Sequence, residues 1–126
     1  MPQNEPPELQ ELTKASAGLL YPSESDEPFD ALAWPGGTAA SARQAIAAHV
    51  GPGRKIQEVP VDRFFADLRG ADDAGRFDEL RRVLESNLDG LSVFRVGDGE
   101  VQVDIYLIGK TRAGDWTGLH TVSIET

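Results

Sequence analysis

Chemistry in this chain falls to oxygen and imidazole, because its 126 residues include no cysteine. Thiolate nucleophiles, zinc–thiolate clusters and disulfides are excluded together. The two histidines, His49 and His120, stand far apart and outside any His-Glu-x-x-His, glycine-rich phosphate loop or nucleophile-elbow pattern. His49 falls at the end of an expected helix, where the dipole favours it. His120 falls in an expected strand, as a packed or edge residue. No catalytic site is expected. The carboxylates are more suggestive: Glu24, Asp26, Glu27 and Asp30 put four of them within seven residues, a density of hard oxygen donors suited to a divalent cation. Their spacing is not that of an EF-hand, and Pro28 and the lack of a central glycine oppose a calcium loop. A solvated acidic turn is the plainer alternative. A second oxygen cluster closes the sequence at Glu125-Thr126, where Thr126 combines a hydroxyl with a terminal α-carboxylate.

The total charge narrows the choice of partner. Twelve basic residues face 21 acidic ones, for a net −9, which opposes a phosphate backbone and suits a basic protein surface. Residues 1–30 hold seven acids against Lys14 alone, a local −6; residues 31–75 have five of each sign, and residues 76–126 have nine acids against six bases. Two-thirds of the net charge therefore surrounds the first carboxylate cluster. The opening Met1-Pro2-Gln3-Asn4-Glu5-Pro6-Pro7 has neither the basic start nor the apolar core of a signal peptide, and nothing later approaches a membrane span. A soluble, cytoplasmic protein is expected, without membrane or direct nucleic-acid contact.

Elements must position these residues. The length fits one domain, with residues 1–7 as a disordered tail and 8–126 as the folded unit. Leu9, Leu12, Ala15 and Leu19 recur at helical spacing from Glu8, until Gly18 weakens the helix and Pro22 ends it. Residues 23–28 read as an exposed loop and Phe29 to Trp34 as a short strand. Thr38 is the expected N-cap of an alanine-rich helix to about His49. Asp62 is the expected cap of a short helix carrying Phe64, Phe65 and Leu68. Phe77, Leu80, Val83, Leu84 and Leu88 mark another amphipathic helix. From Leu91 the period becomes two: strands are expected over roughly 91–97 and 100–109, joined at Gly97-Asp98-Gly99, and a third from Trp116 to Ile124. Val101 to Ile108 turns apolar on both faces toward its end, as a central strand must. The resulting fold is of α/β (α+β) type: a three-layer α/β/α sandwich around a mainly antiparallel four-stranded sheet.

Two collinear blocks carry a resemblance. The run Ala15-Ser16-Ala17-Gly18-Leu19-Leu20-Tyr21-Pro22-Ser23-Glu24-Ser25-Asp26-Glu27-Pro28-Phe29, with Trp34 after it, is similar to the N-terminal segment of the cyanobacterial nuclease A inhibitor family. The C-terminal third resembles the same family through Ser86-Asn87-Leu88, Val93-Phe94-Arg95-Val96-Gly97, Asp104-Ile105-Tyr106-Leu107-Ile108-Gly109, Thr111-Arg112-Ala113-Gly114 and Glu125-Thr126. The resemblance implies a non-enzymatic α/β/α sandwich, without cofactor or metal of its own, that plugs the active site of a magnesium-dependent, sugar-non-specific DNA/RNA endonuclease in a one-to-one complex. It implies that Glu24 and Thr126 approach the nuclease's magnesium, largely through its bound waters, with Ser23, Ser25, Asp26, Glu27 and Glu125 in support. The sequence departs from the family after Phe65, where Ala66 to Arg76 is shorter than the family's acidic, tryptophan-bearing insertion, and at the hairpin around Gly97-Asp98-Gly99, which is about two residues longer. The alternative reading is an acidic interaction module of the same fold with a different basic protein partner.

Overall fold

The computed structural model describes residues 6–34, 39–70, 74–97 and 101–125. In chain order these form α1 (Pro7–Ser16), β1 (Leu20–Tyr21), β2 (Glu27–Pro28), β3 (Asp30–Trp34), α2 (Ala42–Val50), β4 (Ile56–Val59), α3 (Val61–Ala66), α4 (Ala74–Asn87), β5 (Asp89–Val96), β6 (Gln102–Lys110) and β7 (Trp116–Ile124). The main sheet has five strands in the order β3-β7-β6-β5-β4, every pairing antiparallel. β1 and β2 form a separate two-stranded ribbon.

The expected four-stranded sheet is therefore corrected to five strands. β4 went unseen because Ile56-Gln57-Glu58-Val59 neither alternates nor forms an apolar run: only its end residues are partly covered, while Gln57 and Glu58 are exposed. Such a strand suits the sheet edge, where polar residues discourage pairing with another chain. β6 lies at the centre, as its two apolar faces predict, with five successive buried residues from Ile105 to Gly109.

Register explains the layering. Val59, Val93, Leu107, Leu119 and Ala31 stand opposite one another in a single row across all five strands. That row packs under α1, α3 and α4, which contribute Leu12, Phe64, Phe65, Phe77, Leu80 and Leu84. The other face carries Phe94, Val96, Tyr106, Ile108 and Trp116 and is covered by α2 through Ala42, Ala45 and Ile46. The sandwich is thus lopsided, with three helices on one face and one on the other among the described residues. In α4 the buried Phe77, Leu80 and Leu84 recur three and four residues apart, a spacing that aligns them along one stripe. Each such fully buried side chain contributes about 1.5–3 kcal/mol.

Local chemistry moves several boundaries. α1 ends at Ser16 rather than running toward Pro22, because Gly18 takes a positive φ of 74° and turns the chain into the ribbon. The cap of α2 is Ser41, whose hydroxyl accepts from Gln44 N at 3.2 Å; the expected cap Thr38 lies outside the described residues. α3 begins at Val61 after Pro60 and takes no side-chain cap. Asp62 instead pairs with Arg81 of α4. The Asp98-Gly99 turn and residues 1–5 also lie outside the described residues.

Two positions on β6 and β7 lend themselves to measurement. A Cβ on Gly118 would stand 1.8 Å from Leu107 O and 2.8 Å from Ile108 Cα, both backbone atoms of the neighbouring strand. Gly118→Ala is expected to cost about 3 kcal/mol, the upper range for overpacking, measured as a lowered urea midpoint. Tyr106, beneath α2, has its phenol pushed up to about 12 by burial and then by the Asp104 carboxylate, against the opposing pull of Arg54. The folded state holds that proton more tightly, so its contribution is intact below about pH 10, the free phenol value. It is lost as pH rises to about 12. Alkaline absorbance titration should show Tyr106 ionising last, a step that Tyr106→Phe removes.

Candidate functional site

The acidic loop is the tip of the β1–β2 ribbon, closed by the pairs Leu20↔Pro28 and Tyr21↔Glu27. The ribbon is anchored on β7: the buried Thr121 hydroxyl donates to Pro28 O at 2.9 Å. Tyr21 stacks on Phe64 with ring centroids 5.9 Å apart and meets Phe29 edge-on. Its phenol is raised by burial, an effect that Arg95 opposes and Glu125 and Asp67 reinforce. The root of the loop is therefore built into the core.

β7 supplies the surface on which the loop lies. β3 pairs with β7 only over Trp116 to His120, leaving the same edge open over the remaining residues of the strand. The loop takes up that edge at its far end: Glu24 N donates to Ile124 O at 3.2 Å, and Ile124 N donates to the Ser23 hydroxyl at 3.1 Å. Ser23 in turn donates to Ser25 O at 2.6 Å. The acidic loop and the end of β7 are thus joined by one backbone–backbone and one backbone–hydroxyl hydrogen bond, with the Glu24 backbone held against Ile124. Thr126 itself lies outside the described residues.

The carboxylates nearby divide into two groups. Glu27 accepts from the Ser25 hydroxyl at 2.7 Å. Glu125 takes Arg95 Nη2 on both oxygens, at 2.8 and 2.7 Å, and the Ser123 hydroxyl at 2.9 Å, while its own N–H donates to Val101 O at 2.7 Å. By contrast, Glu24 and Asp26 are exposed, and no hydrogen bond or ion pair engages their carboxylates among the described residues. Asp30 starts β3 opposite His120 and does not join the loop tip. Among the described residues the two large apolar side chains left exposed are Leu20 and Val101, at 43% and 60%. Leu20 stands at the ribbon's base and Val101 beside Glu125.

The histidines lie elsewhere, on the α2 face of the sheet. His120 Nε2 meets Asp104 Oδ1 at 2.9 Å, and Asp104 Oδ2 holds Arg54 at 3.2 Å. Both His49 and His120 pack against the Tyr106 ring. No group of three or more carboxylate or imidazole ligands converges as a metal site among the described residues. No helix among them is long and apolar enough to cross a membrane.

A sequence model of nuclease A inhibitor-like proteins matches residues 7–126, nearly the whole chain. The chain belongs to the nuclease A inhibitor-like family. Comparison with curated proteins returns no match. Both the loop and the end of β7 fall within the matched span, so the junction between them belongs to the family domain rather than to an appended tail. The part of this site that sequence reasoning missed is Arg95. Its signal was present: Val93 and Arg95 fall on the same inward register of β5, and a charge on a core-facing register must find a partner.

Ser23→Ala is expected to leave the fold intact, lower stability by about 1 kcal/mol, the usual loss for one hydrogen bond, and speed amide exchange at Ile124. Urea unfolding and NMR-detected exchange together check it. An unchanged Ile124 rate would show that the Ser23 hydroxyl does not hold β7.

Proposed function

We propose that this nuclease A inhibitor-like chain is a protein inhibitor of a magnesium-dependent, sugar-non-specific DNA/RNA endonuclease, presenting Glu24 and Thr126 to the metal-centred active site. The observation that carries this reading is selective commitment. Ser23, Ser25, Glu27 and Glu125 are engaged within the molecule, whereas the Glu24 carboxylate is exposed and unengaged at the tip of a loop fastened to β7. Magnesium prefers oxygen ligands and keeps several waters, which a carboxylate and a hydroxyl can hold by hydrogen bonds. Asp26, equally unengaged, adds charge that steers a cationic site toward the loop. Ser23, Ser25, Glu27 and Glu125 then support the contact from behind.

Stable interfaces bury about 1,600 Å² in total, more than one loop tip provides. Leu20, at the base of the ribbon, and Val101, beside Glu125, are exposed and supply apolar contact. The link from α3 to α4 is short, only seven residues between Ala66 and Ala74, and carries no tryptophan. An aromatic anchor supplies a large share of energy in many interfaces, and this shortened link supports the second reading: the same surface serving a different basic protein. The complex is one-to-one, and the inhibitor performs no catalysis and takes up neither nucleic acid nor a cofactor.

Inhibition of a purified magnesium-dependent nuclease tests both readings. Glu24→Ala and deletion of Thr126 should each raise the inhibition constant at least about ten-fold, corresponding to 1.4 kcal/mol of lost contact, without lowering the unfolding midpoint. Equal potency of both variants and wild type would refute the assigned contacts. Failure of wild type, with recovery of a basic non-nuclease protein in one-to-one complex, would favour the second reading.

A further inference from the structure

We infer that Arg95 is a positioning residue for the proposed contact: through Glu125 it fixes the end of β7 against the acidic loop and keeps the Glu125 carboxylate out of the surface offered to a partner. The inference rests on the inhibitor reading for its functional consequence and on geometry for its structural one. Arg95 stands on β5 and Glu125 follows β7, with β6 between them, so this ion pair spans three strands. One guanidinium nitrogen reaches both carboxylate oxygens, at 2.8 and 2.7 Å, the length of charge-assisted hydrogen bonds. The Ser123 hydroxyl gives Glu125 a third donor at 2.9 Å, and the Glu125 N–H is tied to Val101 O at 2.7 Å. Side chain and backbone of residue 125 are therefore both held.

An ordinary surface pair contributes little to stability and fixes little. This one differs in placement. The Arg95 side chain is 23% exposed against 41% for Glu125, so the pair reaches inward from the rim. It also acts electrostatically on Tyr21, the last ribbon residue before the loop. One interaction thus touches the exit of β7 and the root of the loop, the two segments whose alignment sets where Glu24 stands relative to the chain end. Neutralising Glu125 has a second effect. It leaves Glu24 and Asp26 as the unengaged carboxylates at the tip, concentrating the negative field there.

The test uses the full chain with Arg95→Leu, Glu125→Leu and the charge exchange Arg95→Glu with Glu125→Arg. Two readouts are taken: amide exchange at Glu24 and Ile124, with Leu107 in central β6 as the fold control, and inhibition of a magnesium-dependent sugar-non-specific nuclease. Both single variants should speed exchange at Glu24 and Ile124 about ten-fold, the change that 1.4 kcal/mol produces, with Leu107 unmoved. Both should weaken inhibition by a similar factor, and the charge exchange should restore most of each. Unchanged exchange at Glu24 and Ile124 in Arg95→Leu would overturn the inference whether or not any nuclease is inhibited. Loss of inhibition in Glu125→Leu but not in Arg95→Leu, without rescue by the exchange, would make Glu125 a direct contact and overturn it too. If exchange responds as expected while wild type inhibits no nuclease, the inhibitor reading fails and the clamp stands.

Discussion

The edge of β7 beyond His120 is the constraint on which the presented surface depends. A strand that outruns its neighbour exposes backbone donors and acceptors that invite another chain. Here β3 stops at the pair Asp30↔His120, and the ribbon and its loop take over, through Thr121, Ile124 and the Ser23 hydroxyl. Covering the edge and placing Glu24 are therefore the same act. Any change that releases the loop also uncovers the edge.

Charge is distributed with a similar economy. A cluster of carboxylates at one end of a protein repels itself, and each needs either solvent or a donor. Glu27 and Glu125 have donors within the fold, whereas Glu24 and Asp26 have solvent. The repulsion that remains would be relieved by an approaching cation, which is what makes a positively charged partner suit the proposed contact; no group of three or more metal-ligating side chains forms among the described residues. On the far face, Asp104 meets both Arg54 and His120 beside Tyr106, and that group is spent on packing.

Periodicity made the central parts legible. The alternation from Leu91 onward foretold β5, β6 and β7, and the two-faced apolar pattern of Val101 to Ile108 foretold the place of β6, because burial on both sides leaves no polar positions to interrupt it. Glu24 was legible as part of a dense acidic run, and through the family wording around it. β4 was not, since an edge strand with exposed Gln57 and Glu58 carries no burial signal. Nor was the ribbon, whose strands are two residues long and held by tertiary bonds from Thr121 rather than by local propensity. The bond from Glu24 N to Ile124 O joins backbone atoms a hundred residues apart, and backbone pairing of that kind leaves no trace in side-chain types.

Rigid presentation explains why so many hydrogen bonds are spent inside so small a loop. Ordering a flexible segment on association costs about 0.5–1.5 kcal/mol for each side chain immobilised, and in the proposed contact a loop offering one carboxylate could not absorb that cost several times over. Ser23 and Ser25 use their hydroxyls on the loop itself and on β7, so the ordering is completed on folding, driven by the burial of Tyr21, Phe29 and Phe64 at the loop's root. Folding free energy thus supplies what binding would otherwise have to. The short link after α3 makes this more important for the proposed complex: with no aromatic residue in that link, a partner of the proposed kind would have to be held by a surface arranged before it arrives.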